Sequence, residues 1–340
     1  MTLALGGAGG WLFWAANSPL PWMIGSMTVV TVLAVTGLKV QSYRPLRTVM
    51  IAVLGVMLGS SFTPDLVASA GEWPITLAVM AASSGIALAV GVFYFQKVAG
   101  ADLTTAYFSA APGGLNEMTI AGTAAGGDER TIALSQATRI LILVFVIPFY
   151  FRFFASDYVA TARAAVDVGF AGVPMAELGK LIACGIVGAF VGRWLRLPAG
   201  AMLGPLMVSA AAHFFGLTSA RPPVELVSAA QVVMGVGIGA RFAGAHHRLV
   251  LRLMGHGAVF AIFLVLLAVA CAWTAHAITG ISASALTLAY APGGVAEMSL
   301  VALALSVDVA FVATHHAARM FLVVLLAQPL FRLARRWRKT

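Results

Sequence analysis

Two carboxylates and two guanidiniums stand at one repeated spacing in a chain that places almost no other charge inside its apolar runs. Glu117 follows Pro112-Gly113-Gly114 by three residues, Glu297 follows Pro292-Gly293-Gly294 by three, and Arg139 and Arg319 lie well inside the runs that come next. An ionisable group at membrane depth is costly unless it is paired or used. A carboxylate within the first turn of a helix can bind a cation, carry a proton or hold an arginine. A guanidinium suits two-point binding of a carboxylate, so Arg139 and Arg319 are read as recognising an anionic group. An ion pair from each arginine to its glutamate is the structural alternative, and the two readings are compatible. Asn116, Thr119 and Ser299 add oxygens beside the Pro-Gly-Gly segments, but the counterpart of Asn116 is Ala296, so the site is not symmetric. Ser135 and Gln136 give way to His315 and His316, one turn before Arg319. A histidine there can shuttle protons or act as a hydrogen-bonded helix residue, and sodium on the Pro-Gly-Gly carbonyls is the rival coupling ion. The expected binding set is Pro112, Gly113, Gly114, Asn116, Glu117, Arg139, Pro292, Gly293, Gly294, Glu297, His316 and Arg319. No catalytic residue, metal or cofactor is expected beyond a coupling ion, proton or sodium.

Apolar elements must hold these groups. The chain has 340 residues, 61% hydrophobic and 10% charged, where a soluble globule has about a quarter charged. That composition describes an all-α integral membrane protein. A spanning helix takes roughly 20 apolar residues, and 61% of 340 is about 207, so there is material for about ten spans and no soluble domain of any size. The net charge of +9 does not imply nucleic acid as a partner, because Arg332, Arg335, Arg336, Arg338 and Lys339 close the chain directly after an apolar run. Such a tail reads as a cytoplasmic anchor at anionic headgroups. Cys184 and Cys271 sit in apolar stretches without metal or CxxC spacing and are expected to pack. No basic segment of the kind that opens a signal peptide precedes the first apolar run.

The apolar runs are Leu3–Trp14, Leu20–Leu38, Leu46–Phe62, Trp73–Phe95, Leu103–Ala125 and Ile132–Phe154, then Leu178–Trp194, Ala199–Leu217, Val224–Phe242, Leu253–Ile278, Ile281–Val307 and Val309–Phe331. The two sets match at an offset of 180, which pairs Gly55, Gly59, Asp128, Arg139 and Arg152 with Gly235, Gly239, Asp308, Arg319 and Arg332. The chain is read as a first membrane repeat (1–154), a linker (155–177), a second repeat (178–334) and a basic cytoplasmic tail (335–340). Positive charge changes sides between the repeats. Lys39, Arg44 and Arg47 follow the second run of the first half, whereas Arg193, Arg196, Arg241, Arg248 and Arg252 flank other loops in the second. Cytoplasmic loops carry the lysine and arginine, so one run per half fails to span, and the Pro-Gly-Gly run is the candidate. Its two pieces of about ten residues are each about 15 Å long, half a bilayer. The expectation is two inverted repeats, each of about five spans plus one re-entrant or broken Pro-Gly-Gly helix. Broken helices meeting at the midplane are a recurring device of secondary transporters.

The duplicated Ala-Pro-Gly-Gly-x-x-Glu-Met blocks at 111–118 and 291–298, with Pro19-x5-Gly25 and Pro198-x5-Gly204 opening the halves, resemble the AbrB family of bacterial membrane proteins over essentially the whole chain. The resemblance implies two copies of a duplicated membrane domain, a link to regulation of gene expression, and the label of an ammonia monooxygenase. A copper monooxygenase would need converging ligands, and the seven histidines are scattered. A DNA-binding regulator would need a soluble basic module. The reading that follows is a secondary active transporter, not an enzyme, of a small anionic solute. It is placed in the bacterial inner membrane with both termini cytoplasmic, lipid as its surroundings and a homo-oligomer left open. An indirect effect on gene expression through a transported metabolite, or a metal-dependent oxidase, are the alternatives.

Overall fold

The computed structural model describes residues 1–64, 70–154 and 168–337, so residues 155–167 of the predicted linker (155–177) and the last three residues of the predicted tail lie outside the described residues. Every regular element among the described residues is helical. The first half holds α1 (Thr2–Ala15), α2 (Pro21–Val35), α3 (Arg44–Gly59), α4 (Trp73–Lys97), α5 (Leu103–Ala110), α6 (Leu115–Ala124) and α7 (Glu129–Phe154). The second holds α8 (Met175–Trp194), α9 (Gly200–Phe214), α10 (Val224–Gly239), α11 (His247–Thr279), α12 (Ala283–Tyr290), α13 (Val295–Ala304) and α14 (Val309–Trp337). Helix n of the first half thus corresponds to helix n+7 of the second.

Six stretches, at Trp73–Lys97, Glu129–Phe153, Met175–Trp194, Val224–Phe242, His247–Thr279 and Val309–Arg335, are long and apolar enough to cross a membrane. By these helices the chain is a multi-pass membrane protein. Helices α2 and α9 have 15 residues each, about 23 Å at the helical rise and short of a hydrocarbon core of about 30 Å. The apolar runs that contain them are longer than the helices, because each ends in a loop with left-handed glycine, Gly37 and Gly216.

The backbone repeats as the letters do. Leu20 (φ 43°) and Ala199 (φ 47°) both take the left-handed conformation just before α2 and α9, and Asn17 (φ 53°) and Arg196 (φ 51°) take it three residues earlier. Left-handed non-glycine residues are uncommon, so two pairs at one offset mark common local folding. Asp128 and Asp308 start α7 and α14 alike, each giving a carboxylate oxygen to the amide three residues on, Thr131 at 2.7 Å and Phe311 at 2.9 Å. Such caps satisfy amides that a helix start leaves without acceptors. Asp102 does the same for α5 at the amides of Thr104 and Thr105. Partial burial pushes its carboxyl up, but these hydrogen bonds win and hold it below the usual carboxylate range.

The chain forms two compact units, each drawing on both repeats. The first contains Met1–Gly71, Val144–His246 and Ala296–Ala313. Within it α3 packs on α9 and, reciprocally, α10 packs on α2. Glycine makes both approaches. A Cβ at Gly55 or Gly59 would stand 2.5 Å from the carbonyl of Met202 or Leu206 on α9, and one at Gly235 would stand 2.5 Å from the carbonyl of Met23 on α2. Gly237, between two packing glycines, instead faces the Arg47 guanidinium. Cys184 belongs to this unit's core with Val56, Leu181 and Ala212.

The second unit contains Glu72–Leu143, His247–Val295 and Thr314–Thr340. Here α4 packs on α11, and each also packs on the short helix that follows it, α5 or α12. Phe95 and Phe260 meet edge to face at 5.3 Å. Tyr107 and Phe108 pack on Phe331, and the Tyr107 hydroxyl donates to the Ala327 carbonyl at 2.9 Å. These contacts clamp α5 to the end of α14.

The glycine contacts predict their own test. Gly235→Ala drives a methyl into the Ser26 hydroxyl and, behind it, into the backbone of Met23 and Met27, which cannot turn aside, and is expected to cost about 1–3 kcal/mol, the usual range for overpacking. Gly7→Ala, where no heavy atom lies within 4 Å, is expected to be neutral or stabilising by about 0.5–1 kcal/mol through helix propensity. Thermal melting of the two purified variants in detergent checks the contrast.

Candidate functional site

A helical carbonyl accepts from the amide four residues on, so a proline at position 112 deprives the carbonyl of Phe108 of its donor, and Pro292 does the same to Leu288. Helices α5 and α12 accordingly stop at Ala110 and Tyr290, and the chain runs extended through Ala111 (φ −54°, ψ 126°) and Ala291 (φ −57°, ψ 123°). Both carbonyls are served from the next long helix. Gln136 Nε2 donates to Phe108 O at 2.7 Å, and His316 Nε2 contacts Leu288 O at 2.9 Å.

The arginines do the same for the rest of each break. Arg139 donates Nη1 to Ala111 O (2.9 Å) and Nη2 to Gly113 O (3.2 Å). Arg319 donates Nη1 to Ala291 O (3.0 Å) and Tyr290 O (3.3 Å), and Nη2 to Gly293 O (3.0 Å). The bonds to Phe108 and Leu288, to Ala111 and Ala291, and to Gly113 and Gly293 keep the offset of 180. The side chains are nearly inaccessible, with Gln136 at 0%, His316 at 1%, Arg139 at 2% and Arg319 at 3% exposed. Among the described residues the hydrogen bonds of the Nη atoms go to backbone carbonyls and, for Arg319, also to His316, so the broken backbone holds both arginines.

The two breaks converge. A cavity of about 30 Å³ is lined by Pro112, Gly113 and Gly114 from one and Gly293 and Gly294 from the other, together with Arg139, His316 and Arg319. Leu115 and Val295, the first residues of α6 and α13, line it as well. The field of Arg139 reaches Arg319 and repels it. Arg139 Nε and Gln136 Oε1 are buried polar atoms without a partner among the described residues, as is the Tyr290 hydroxyl. The cavity therefore gathers two guanidiniums and two helix N-termini, all positive.

Not every residue expected here lines the cavity. Pro292 belongs to the break but faces a smaller cavity that it shares with Pro112, Ser83 and Tyr290. Asn116 is exposed. Glu117 folds back over Gly114, where a Cβ would meet its Oε2 at 2.1 Å, so a larger residue there would displace the Glu117 carboxylate. Glu297 is buried, accepts from its own backbone amide, and lies in the field of Arg47, a first-unit residue like itself. His315 contacts Thr76 Oγ1 through Nε2 at 2.8 Å. The residue that the sequence set lacked is Gln136. Its alignment with His316 at the common offset was the available signal.

A family profile described as "Transition state regulatory protein AbrB" matches residues 22–335. Among curated proteins the chain is similar to YhjN of Bacillus subtilis (strain 168), 26% identical over 97% of this chain and 91% of that one. It is also similar to an Escherichia coli (strain K12) protein whose name calls it a regulator, AbrB, 24% identical over 92% of this chain and 89% of that one.

If side chains replace the donors that proline removes, the two losses must be coupled. Gln136→Leu orphans the Phe108 carbonyl and should cost about 1–3 kcal/mol. Pro112→Ala restores an N–H four residues beyond that carbonyl, so Gln136→Leu should cost less in the Pro112→Ala background. A double-mutant cycle on melting temperatures measures the coupling, and strict additivity would refute it.

Proposed function

This chain belongs to the AbrB family, and we propose that it is a secondary active transporter of a small anion, built from inverted repeats in the bacterial inner membrane with both termini cytoplasmic. The observation that carries the reading is the convergence of Arg139 and Arg319 with the starts of α6 and α13 on one cavity. A helix terminus is worth about half a charge. Each arginine therefore outweighs the negative end of the short helix whose carbonyls it holds, leaving roughly half a positive charge, and the start of the following helix adds roughly another half. An anion is favoured at both breaks.

The same geometry weighs against sodium. Its ligands would be the carbonyls of the breaks, and these already face guanidiniums. Broken helices that expose backbone at membrane depth are tolerated where they are buried in protein or line a water-filled cavity, and in secondary transporters such breaks form the solute site. The regulator name of the E. coli relative fits this reading if the transported solute is itself a signal, so that an effect on transcription follows from its concentration.

The purified protein in liposomes, supplied with labelled acetate, lactate, succinate, citrate, phosphate or sulfate, should take up at least one of them saturably. Arg139→Lys and Arg319→Lys keep the charge but lose the two-point geometry. Each should raise the half-saturating concentration about tenfold, equivalent to about 1.4 kcal/mol. Uptake of none of these anions, or unchanged affinity in both variants, would overturn the proposal.

A further inference from the structure

The one ionisable difference between the two halves of the cavity is that His316 stands where the first repeat has Gln136. Its hydrogen bonds fix its tautomer twice over. The Leu288 carbonyl can only accept, so Nε2, 2.9 Å away, carries the hydrogen. A guanidinium can only donate, so Nδ1 accepts from Arg319 Nη2 at 2.7 Å. The imidazole is neutral, and its single basic lone pair is occupied by the arginine that also holds the second break.

We propose that His316 is the proton-binding group of this transporter, and that a proton at Nδ1 competes with Arg319 and frees it for the anion. The inference rests on the anion-transport reading and names the coupling ion. Hydronium from the acidic side gives up a proton to form the Nδ1–H bond, leaving water, and the hydrogen bond from Arg319 Nη2 to Nδ1 breaks. Nothing is oxidised or reduced. Imidazolium and guanidinium then repel, Arg319 turns a donor into the cavity, and the site gains one positive charge that the anion offsets. Proton and anion therefore travel together.

The groups around His316 agree with that direction. On α14 they are Arg319 and His315, the latter on Thr76 of α4. From α7 Arg139 lines the same cavity. Helix α12 brings Tyr290, whose ring lies 6.5 Å from that of His315. The carboxylate of Glu117 on α6 lies over Gly114 at the cavity wall. Three of these neighbours are cationic or can become so, which is why protonation has to come with an anion. In the first repeat Gln136 gives the equivalent N–H to the equivalent carbonyl but has no atom that titrates.

Nitrogen-15 NMR of histidine- and arginine-labelled wild-type protein tests the lock without any transport. His316, assigned by its loss in His316→Gln or His316→Asn, should be the Nε2–H tautomer, and Arg319 Nη signals should shift in the same pH step in which it becomes imidazolium. The Nδ1–H tautomer, an imidazole that takes up no proton while the protein stays folded, or titration without a response from Arg319 overturns the proposal. In pyranine-loaded liposomes, uptake of whichever of acetate, lactate, succinate or phosphate is carried should bring protons inward. The proton signal normalised to anion uptake should be lost in His316→Gln. Retention of that ratio overturns the coupling, whereas absence of anion uptake in the wild type overturns the transporter reading and leaves the NMR result to decide the lock.

Discussion

A proline inside a buried helix removes one backbone donor, and the arrangement around residues 112 and 292 supplies the replacement. Leaving a buried carbonyl without a partner costs about 1–3 kcal/mol in proteins and more in hydrocarbon. Four such carbonyls cluster at each break, where the chain leaves one short helix and has not begun the next. Water is the ordinary remedy at the surface. Here the remedy is a pair of long side chains one turn apart on the following helix, Gln136 with Arg139 and His316 with Arg319. That requirement explains why polar residues persist in the middle of α7 and α14. It also explains why the second of each pair is arginine, whose planar fork can hold two carbonyls at once.

The same solution sets the electrostatics. Glutamine could satisfy a carbonyl, but an arginine brings a full charge that the half-charge of a helix end does not cancel. Structural repair and positive charge thus come from one side chain. The orphaned Nε of Arg139 shows that the repair leaves donor capacity over. The cavity and all the groups that line it belong to the second unit, whereas the glycine-mediated exchange of helices between repeats belongs to the first. Each unit is therefore assembled from both repeats, one around backbone contacts without Cβ atoms and the other around broken helices.

Much of this was legible in the letters because proline, glycine and N-cap aspartate report on backbone. The run from Leu103 to Ala125 was expected to break at Pro-Gly-Gly, and it does, into α5 and α6. The glycine spacings at 55, 59, 235 and 239 suit close helix packing, and the helices do approach there, whereas Gly237 faces Arg47 instead. What failed to show was any partner that is itself backbone. Glu117 and Glu297 looked like the natural partners of Arg139 and Arg319 because carboxylates have letters and carbonyls do not. Gln136 escaped the candidate set for a related reason: an uncharged amide carries no obvious penalty in an apolar run, although it does the same work as His316. Helix length was also overread, since the apolar run from Leu20 to Leu38 continues past the helix that ends at Val35.

The places where the halves differ are as informative as those where they agree. Gly126 and Ser306 take the same left-handed backbone with different residues, and Asp102 caps α5 where Ser282, the corresponding residue, makes no side-chain cap to α12. Such changes alter local stability by about a kcal/mol and leave the breaks as they are. The exchange of Gln136 for His316 is different in kind. Both residues deliver an N–H to the carbonyl that proline leaves open, so the fold is equally served by either. The imidazole alone offers a second nitrogen with a basic lone pair, and that nitrogen faces the arginine. A duplicated scaffold can therefore hold its geometry fixed by symmetry while one copy acquires a titratable atom, because the structural demand at that position is for a donor and is indifferent to what lies on the other side of the ring.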